Sequence, residues 1–423
     1  MNGADEVTRR NVIKAFAAGC LGVTVGDLAV AAESESGSPP PVGKKADAVI
    51  YIYMAGGMSH LDTFDPKPGT DEQGDMGVIR AANGEQFGQH LPKLADLSKE
   101  FAVIRSMNSR EGSHERATYL IHTSYPPLPG IEHPSMGAWS VNLAGQRSEE
   151  IPNYIVVGSN DRALGSGFMG SKLMPVYLTD PSRGISNVQR RMSDRDFDKT
   201  LQLVEIVDSG FQSRYNSSSI DSYNEFYDRT LKLIASQDLA AFDLNQEPRE
   251  SRDKFGSSRF GQGLLLARRL VQAGSRFIEV VDGGWDMHED HMGRLEEKLP
   301  YVDQGVSALL ADLKSNGLLD TTVVALVTEF GRSPEINARA GRDHHAKAWS
   351  TLLAGGGIQG GAVVGKTDKA GEEATDEPVS PQDFNATIAT AMGLSHDKIV
   401  YDTNSGRPFR MSGLNGKPIV SIL

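Results

Sequence analysis

The sequence predicts an α/β fold: one large, mostly parallel, doubly wound central sheet with helices on both faces. Three observations carry that expectation. Short β-branched runs alternate with amphipathic stretches, and the strongest runs, AVIYIYM at 48–54 and TVVALVT at 322–328, have the near-continuous apolar character of strands covered on both faces. The runs end in glycines or ionisable residues, as they do where ligands meet the carboxyl ends of strands in open sheets. A chain of 423 residues with 45 glycines and 20 prolines is long enough for a sizeable core and rich in turn formers.

Each element has its own signal. The first strand, 48–54, stops at Gly56-Gly57. A helix follows at 91–99 and a second strand at 101–105. Helical spacing returns at 114–122 and 134–143, and a strand at 154–157. Residues 158–255 are polar with helical spacing and no clear strand, which predicts a mostly helical insertion. Beyond it the pattern sharpens into a helix at 261–273 and a strand at 276–281 ending in Asp282-Gly283-Gly284. A helix at 299–316 closes on Gly317, the usual left-handed stop. The strand at 322–328 runs into Glu329-Phe330-Gly331-Arg332, another strand covers 350–354, and a helix begun by Ser380-Pro381 covers 380–392. The Gly355–Gly361 cluster carries no GKS or GKT, so a turn between strands explains it better than a phosphate loop.

The first 45 residues read as targeting and tether. Arg9-Arg10 precede a small, apolar stretch to Ala32 that ends in Ala29-Val30-Ala31, the arrangement of a twin-arginine export signal with its cleavage pattern. Asp27 and the Gly/Ala content make it a poor membrane span. The expected organisation is a signal peptide at 1–32, a disordered linker at 33–45 (ESESGSPPPVGKK lies within it) and one α/β domain at 46–423, placed outside the cytoplasm. The alternative is that the first segment is an amphipathic helix of the folded domain.

Composition narrows the function. A net charge of −12 argues against nucleic acid as a partner, because such binding needs a positive surface. The single cysteine excludes a disulfide framework and a thiolate metal cluster. His, Asp and Glu remain as metal ligands. Six of the ten histidines, His60, His114, His288, His291, His344 and His345, fall just past a strand or at the start of a helix. Asp62, Asp286, Asp290, Glu329 and Asp343 accompany them, and a parallel sheet gathers such strand ends at one edge. The pattern fits a divalent-metal site with O and N ligands; for any one histidine, a helix cap or a satisfied core position explains it as well. Arg116, Arg332 and Arg342 are candidates for clamping an anionic group bidentately, or for pairing with carboxylates.

The segment Val49–Lys67 (VIYIYMAGGMSHLDTFDPK), Gly283–His288 (GGWDMH), Glu329–Arg332 (EFGR) and Gly341–His344 (GRDH), together with the N-terminal signal, resemble an uncharacterised family. Its members are twin-arginine-exported bacterial proteins of planctomycete type, carrying a domain of unknown function and placed in the alkaline phosphatase and sulfatase superfamily. The resemblance covers essentially the whole chain behind the signal. It implies an alkaline-phosphatase-like fold and a metal-dependent hydrolase of phosphate or sulfate esters. The substrate would be a small molecule or a glycan, and the metal one or two ions of Zn, Mn or Ca.

Carried onto this sequence, Asp286, His288 or His291, and His344 match the ligands of a first ion. Glu329 matches a ligand of the second, with Phe330 where a histidine is usual. Gly56 or Gly57 stands where a metal-binding Asp is usual, so His60 and Asp62 would substitute. Ser113 matches the nucleophile, with His114 as ligand or base. The only C/S-x-P-x-R-shaped segment, 179–183, has Thr at the key position, against a sulfatase of the formylglycine kind. A catalytically degenerate member that serves as a binding or scaffold protein is the alternative reading.

Overall fold

The computed structural model describes residues 46–158, 164–184, 236–402 and 405–423, with Lys199 and Leu233 between them. The export signal, the linker and most of the predicted helical insertion lie outside the described residues. No helix among the described residues is long and apolar enough to cross a membrane.

An eight-stranded sheet organises the described chain. Its strands are β1 (Ala48–Met54), β2 (Phe101–Met107), β3 (Tyr154–Val157), β4 (Val176–Leu178), β5 (Phe277–Asp282), β6 (Thr322–Val327), β9 (Trp349–Ala354) and β10 (Val363–Val364). A separate hairpin, β7 (Gly331–Ile336) with β8 (Arg342–His345), lies between β6 and β9 in sequence. The spatial order is β10-β2-β9-β6-β1-β5-β3-β4. Every neighbouring pair is parallel except those made by β9, which runs antiparallel to both β2 and β6. The sheet is therefore mostly parallel, as the continuous apolar runs predict.

Both faces are covered. Along β1, Ala48, Ile50, Ile52 and Met54 enter one core, and Val49, Tyr51 and Tyr53 enter the other, the two-residue alternation of a strand. Helices α5 (Arg259–Gln272) and α6 (His291–Ser315) pack on the first face through Leu264, Leu270, Leu295, Val306 and Leu310. Helices α2 (His114–Thr123), α3 (Met136–Ala144) and α7 (Pro381–Ala391) cover the second through Ile121, Trp139 and Phe384. The helix starts follow local chemistry: Ser258 accepts the Gly261 N–H at 3.0 Å, and Ser380 with Asp383 forms a capping box behind Pro381.

Three elements depart from the sequence reading. Helix α6 begins at His291 rather than near 299 and carries Pro300 inside it at an exposed position, where the lost helical hydrogen bond costs least. The 158–255 region contributes an edge strand, β4, paired with β3. Residues 342–345, to which the sequence pattern assigns no strand, are the second strand of the β7–β8 hairpin. The Gly355–Gly361 turn links β9 to β10 as expected. Because β9 is antiparallel, that turn sits at the amino ends of the parallel strands, opposite the ionisable cluster.

Candidate metal centre

The cluster forms at the carboxyl ends of the parallel strands. Beyond β2 comes the start of α2 with Ser113 and His114; beyond β5, Asp286 and His288; beyond β6, Thr328 and Glu329. The hairpin adds Arg332 and His344, which face each other in register. The register slips between Arg342 and His344. This bulge suspends the strict alternation of a strand, so the consecutive Asp343 and His344 both reach His288.

Three imidazoles and one carboxylate converge. His288 Nε2 lies 3.0 Å from His344 Nε2 and 3.0 Å from Asp286 Oδ1, and His344 Nε2 lies 3.2 Å from the same oxygen. His114 Nε2 lies 3.2 Å from Asp286 Oδ2. It is buried with no hydrogen-bond partner. His114, Asp286 and His344 each offer a ligand atom, and all three atoms lie within 4.8 Å of one another.

The tautomers follow from the other ring nitrogens. His344 Nδ1 donates to the Gly112 carbonyl at 2.9 Å, which has no proton to offer in return. His288 Nδ1 donates to Asp343 at 2.7 Å, and His114 Nδ1 to Glu329 at 2.7 Å; ionised carboxylates only accept. In the neutral rings, all three Nε2 lone pairs then point into a space shared with a carboxylate. That packing is repulsive unless a ring takes a second proton or a metal cation sits between the nitrogens and Asp286. A tetrahedral zinc with bonds of about 2.0–2.1 Å sets its ligand atoms about 3.3 Å apart, close to the four contacts of 3.0–3.2 Å just given. The Nδ1 partners are those that orient metal-bound histidines. The donor set therefore fits a divalent ion.

The electrostatics agree. Burial disfavours the charged form of Asp286, yet the Arg332 guanidinium at 2.6 Å and the neighbouring His114 hold its carboxyl well below the usual range. Burial, partly offset by the Gly112 carbonyl, holds His344 below its ordinary value, so the ring is neutral at pH 7 and its lone pair is available. The Asp286, His288 and His344 side chains are 45%, 31% and 27% exposed. That open face gives access to a substrate oxygen, which a fully enclosed structural zinc site does not.

Several predicted site residues play other parts. Glu329 is 1% exposed and accepts the Gly56 N–H at 2.9 Å, the Thr328 hydroxyl at 3.1 Å and His114 Nδ1. It supports a ligand and does not join the converging nitrogens. Asp62 and His291 pair at 2.8 Å in the core, with Arg342 Nε 3.0 Å from the same carboxylate. The guanidinium already supplies the positive charge there, so neither residue enters the metal cluster. Arg342 also donates to the Ser333, Pro334 and Glu72 carbonyls, which leaves it no donor for substrate. Arg332, fully buried, commits four of its five N–H groups, to the Gly56, Gly57 and Arg342 carbonyls and to Asp286. His60 is buried and its Nε2 meets the Gly371 carbonyl at 2.8 Å, away from the cluster. Arg116 forks onto Glu111 at 2.6 and 2.8 Å on the surface.

Ser113 stands at the N-cap of α2 but makes no side-chain cap bond. The hydroxyl is exposed, between Gly112, which holds His344, and His114. Phe330 walls the site, its ring centroid 4.8 Å from His114 and 4.7 Å from His344. Sequence reasoning missed the supporting roles of Asp343 and the Gly112 carbonyl. The adjacency Asp343-His344 was visible; the bulge that turns both toward His288 was not.

No curated protein matches the chain. Among solved structures it is similar to the PsFucS1 sulfatase from Pseudoalteromonas sp., at 12% identity over 84% of this chain and 69% of that one, with a TM-score of 0.40. It is also similar to the alkaline phosphatase from the Antarctic bacterium TAB5, at 12% identity over 83% and 99%, TM-score 0.36. A third likeness is to the lipoteichoic acid synthase LtaP from Listeria monocytogenes, at 11% identity over 88% and 74%, TM-score 0.38. The family described as "Protein of unknown function (DUF1501)" matches residues 46–423, and the chain belongs to that family.

Proposed function

We propose that the chain is a metal-dependent hydrolase of phosphate or sulfate esters, exported by the twin-arginine route and acting on a small-molecule or glycan ester outside the cytoplasm. The observation that carries the reading is the approach of His114 Nε2 to one Asp286 oxygen and of His288 and His344 Nε2 to the other, with each Nδ1 committed to an acceptor. The motif resemblance points to the same chemistry.

His114, His288, His344 and Asp286 would hold the ion. A divalent ion bound there supplies Lewis-acid polarisation of an ester oxygen and stabilises the charge that develops in the transition state. In this reading the Ser113 hydroxyl, which makes no cap bond and is exposed at the start of α2, is the attacking group. The helix N-terminus behind it favours an anionic group at that point. Glu329 and Asp343 fix the rings of His114 and His288, and the buried Phe330 packs against His114 and His344.

The test is a panel of phosphate and sulfate esters assayed with Zn, Mn or Ca added to wild type, Ser113→Ala and His288→Ala. Turnover by wild type and its loss in both variants is expected. Metal-loaded wild type that turns over no ester in the panel would instead support a scaffold.

A further inference from the structure

We propose that the centre takes one divalent ion, and that the Arg332 guanidinium is a built-in cation standing where a second ion would bind. The proposal rests on the metal-centre reading above. A two-ion centre sets its ions about 3.5–4 Å apart and rings the second with oxygens, some shared with the first. Here those oxygens are already held. Arg332 Nη2 lies 2.6 Å from Asp286 Oδ1 and also donates to the Gly56 carbonyl. Its Nε donates to the Gly57 carbonyl at 3.0 Å, and its Nη1 to the Arg342 carbonyl at 3.0 Å. The remaining carboxylate, Glu329, is spent on the Gly56 N–H, the Thr328 hydroxyl and His114. Phe330 fills the adjoining space and offers no ligand atom.

The backbone is shaped around the guanidinium. Gly57 adopts φ +87°, and a Cβ there would lie 3.0 Å from Arg332 Nε and 2.9 Å from the Phe330 ring. A guanidinium keeps its charge at every pH the protein survives, and its side chain is fully buried. The positive charge is therefore permanent and does not exchange with solvent metal. One exchangeable ion and one fixed cation then share Asp286.

The experiment titrates the full-length protein with Mn(II) and follows stoichiometry by elemental analysis and coupling by electron paramagnetic resonance. The expected result is one ion per chain with an uncoupled six-line spectrum. A second ion, spin-coupled to the first, overturns the single-ion inference and leaves the metal centre standing. Absence of any bound ion with Mn, Zn and Co overturns the metal-centre reading itself. Arg332→Ser frees the Gly56, Gly57 and Asp286 oxygens and is expected to take up a second, coupled ion. A folded Arg332→Ser that still takes one ion contradicts the assignment of that place to the guanidinium. Should the variant fail to fold, the wild-type titration decides alone.

Discussion

Glu329→Gln separates a residue that orients a ligand from one that binds the ion. Glu329 Oε1 accepts from both the Gly56 N–H and His114 Nδ1, while Oε2 faces the Thr328 hydroxyl. The glutamine fits the same space. Its carbonyl oxygen can keep the two donors, and its amide can donate to Thr328 Oγ, whose proton then turns from residue 329 to the Met54 carbonyl 2.8 Å away. No buried group is stranded, so the metal-free variant should melt within a few degrees of wild type. What is lost is the negative charge behind His114. Losing such an outer partner typically costs 10–100-fold in metal affinity, about 1.4–2.7 kcal/mol. Glu329→Ala is different, because it strands the buried Gly56 N–H and His114 N–H, at about 1–3 kcal/mol each. Competition titration with a chromophoric chelator gives the affinity, and calorimetry of the metal-free proteins gives the stability. Unchanged affinity in Glu329→Gln, or a stability loss as large as that of Glu329→Ala, would refute the reasoning.

Further outcomes follow from the same geometry. Ser113→Ala should change stability by less than about 0.5 kcal/mol, since no cap bond is lost, while turnover disappears; a loss of 1 kcal/mol or more with activity retained would return Ser113 to a capping role. Burial holds His60 and His133 down to about 4. Their folded values lie below the unfolded value of about 6.5, so the unfolded chain takes up the protons first and stability falls as pH drops from 6.5 to 4, by roughly 3 kcal/mol for each group. Urea midpoints that stay level from pH 7 to 4.5 would contradict this. Replacing Arg9 and Arg10 together by lysine should leave the precursor in the cytoplasm, and normal recovery of the double variant outside it would remove the export assignment.

Much of the fold could be read from residue pattern, because a strand covered on both faces and an amphipathic helix have different periods. Tyr154–Val157 and the Ser380 helix start were evident from β-branched runs and cap chemistry. Antiparallel β9 was not: an apolar run has no direction, and only the hairpin before it reverses the chain. The true start of α6 was hidden by Pro300, a local signal overridden by the packing of Leu295 and Leu299 in the core. In the site, Asp286, His288, His344 and His114 were visible as ionisable groups at strand ends. Their division of labour was not visible. Asp62 and His291 belong to the same strand-end set, but Arg342 draws them into a separate buried pair. Glu329 reads like a ligand in one dimension, and its role changes only when Gly56, folded back from β1, takes up its oxygens. Long-range placement decides such roles, and sequence spacing carries little of it.

The claim on which all of this depends is the ligand set, and X-ray absorption at the zinc edge measures it most directly. Protein loaded with one equivalent of zinc should show three imidazole nitrogens and carboxylate oxygen at about 2.0–2.1 Å, with the outer-shell scattering of three histidine rings. His288→Ala should lose one ring's share of that scattering. An oxygen-only first shell, or protein that retains less than about a tenth of an ion per chain at affinities typical of zinc sites, would contradict the account.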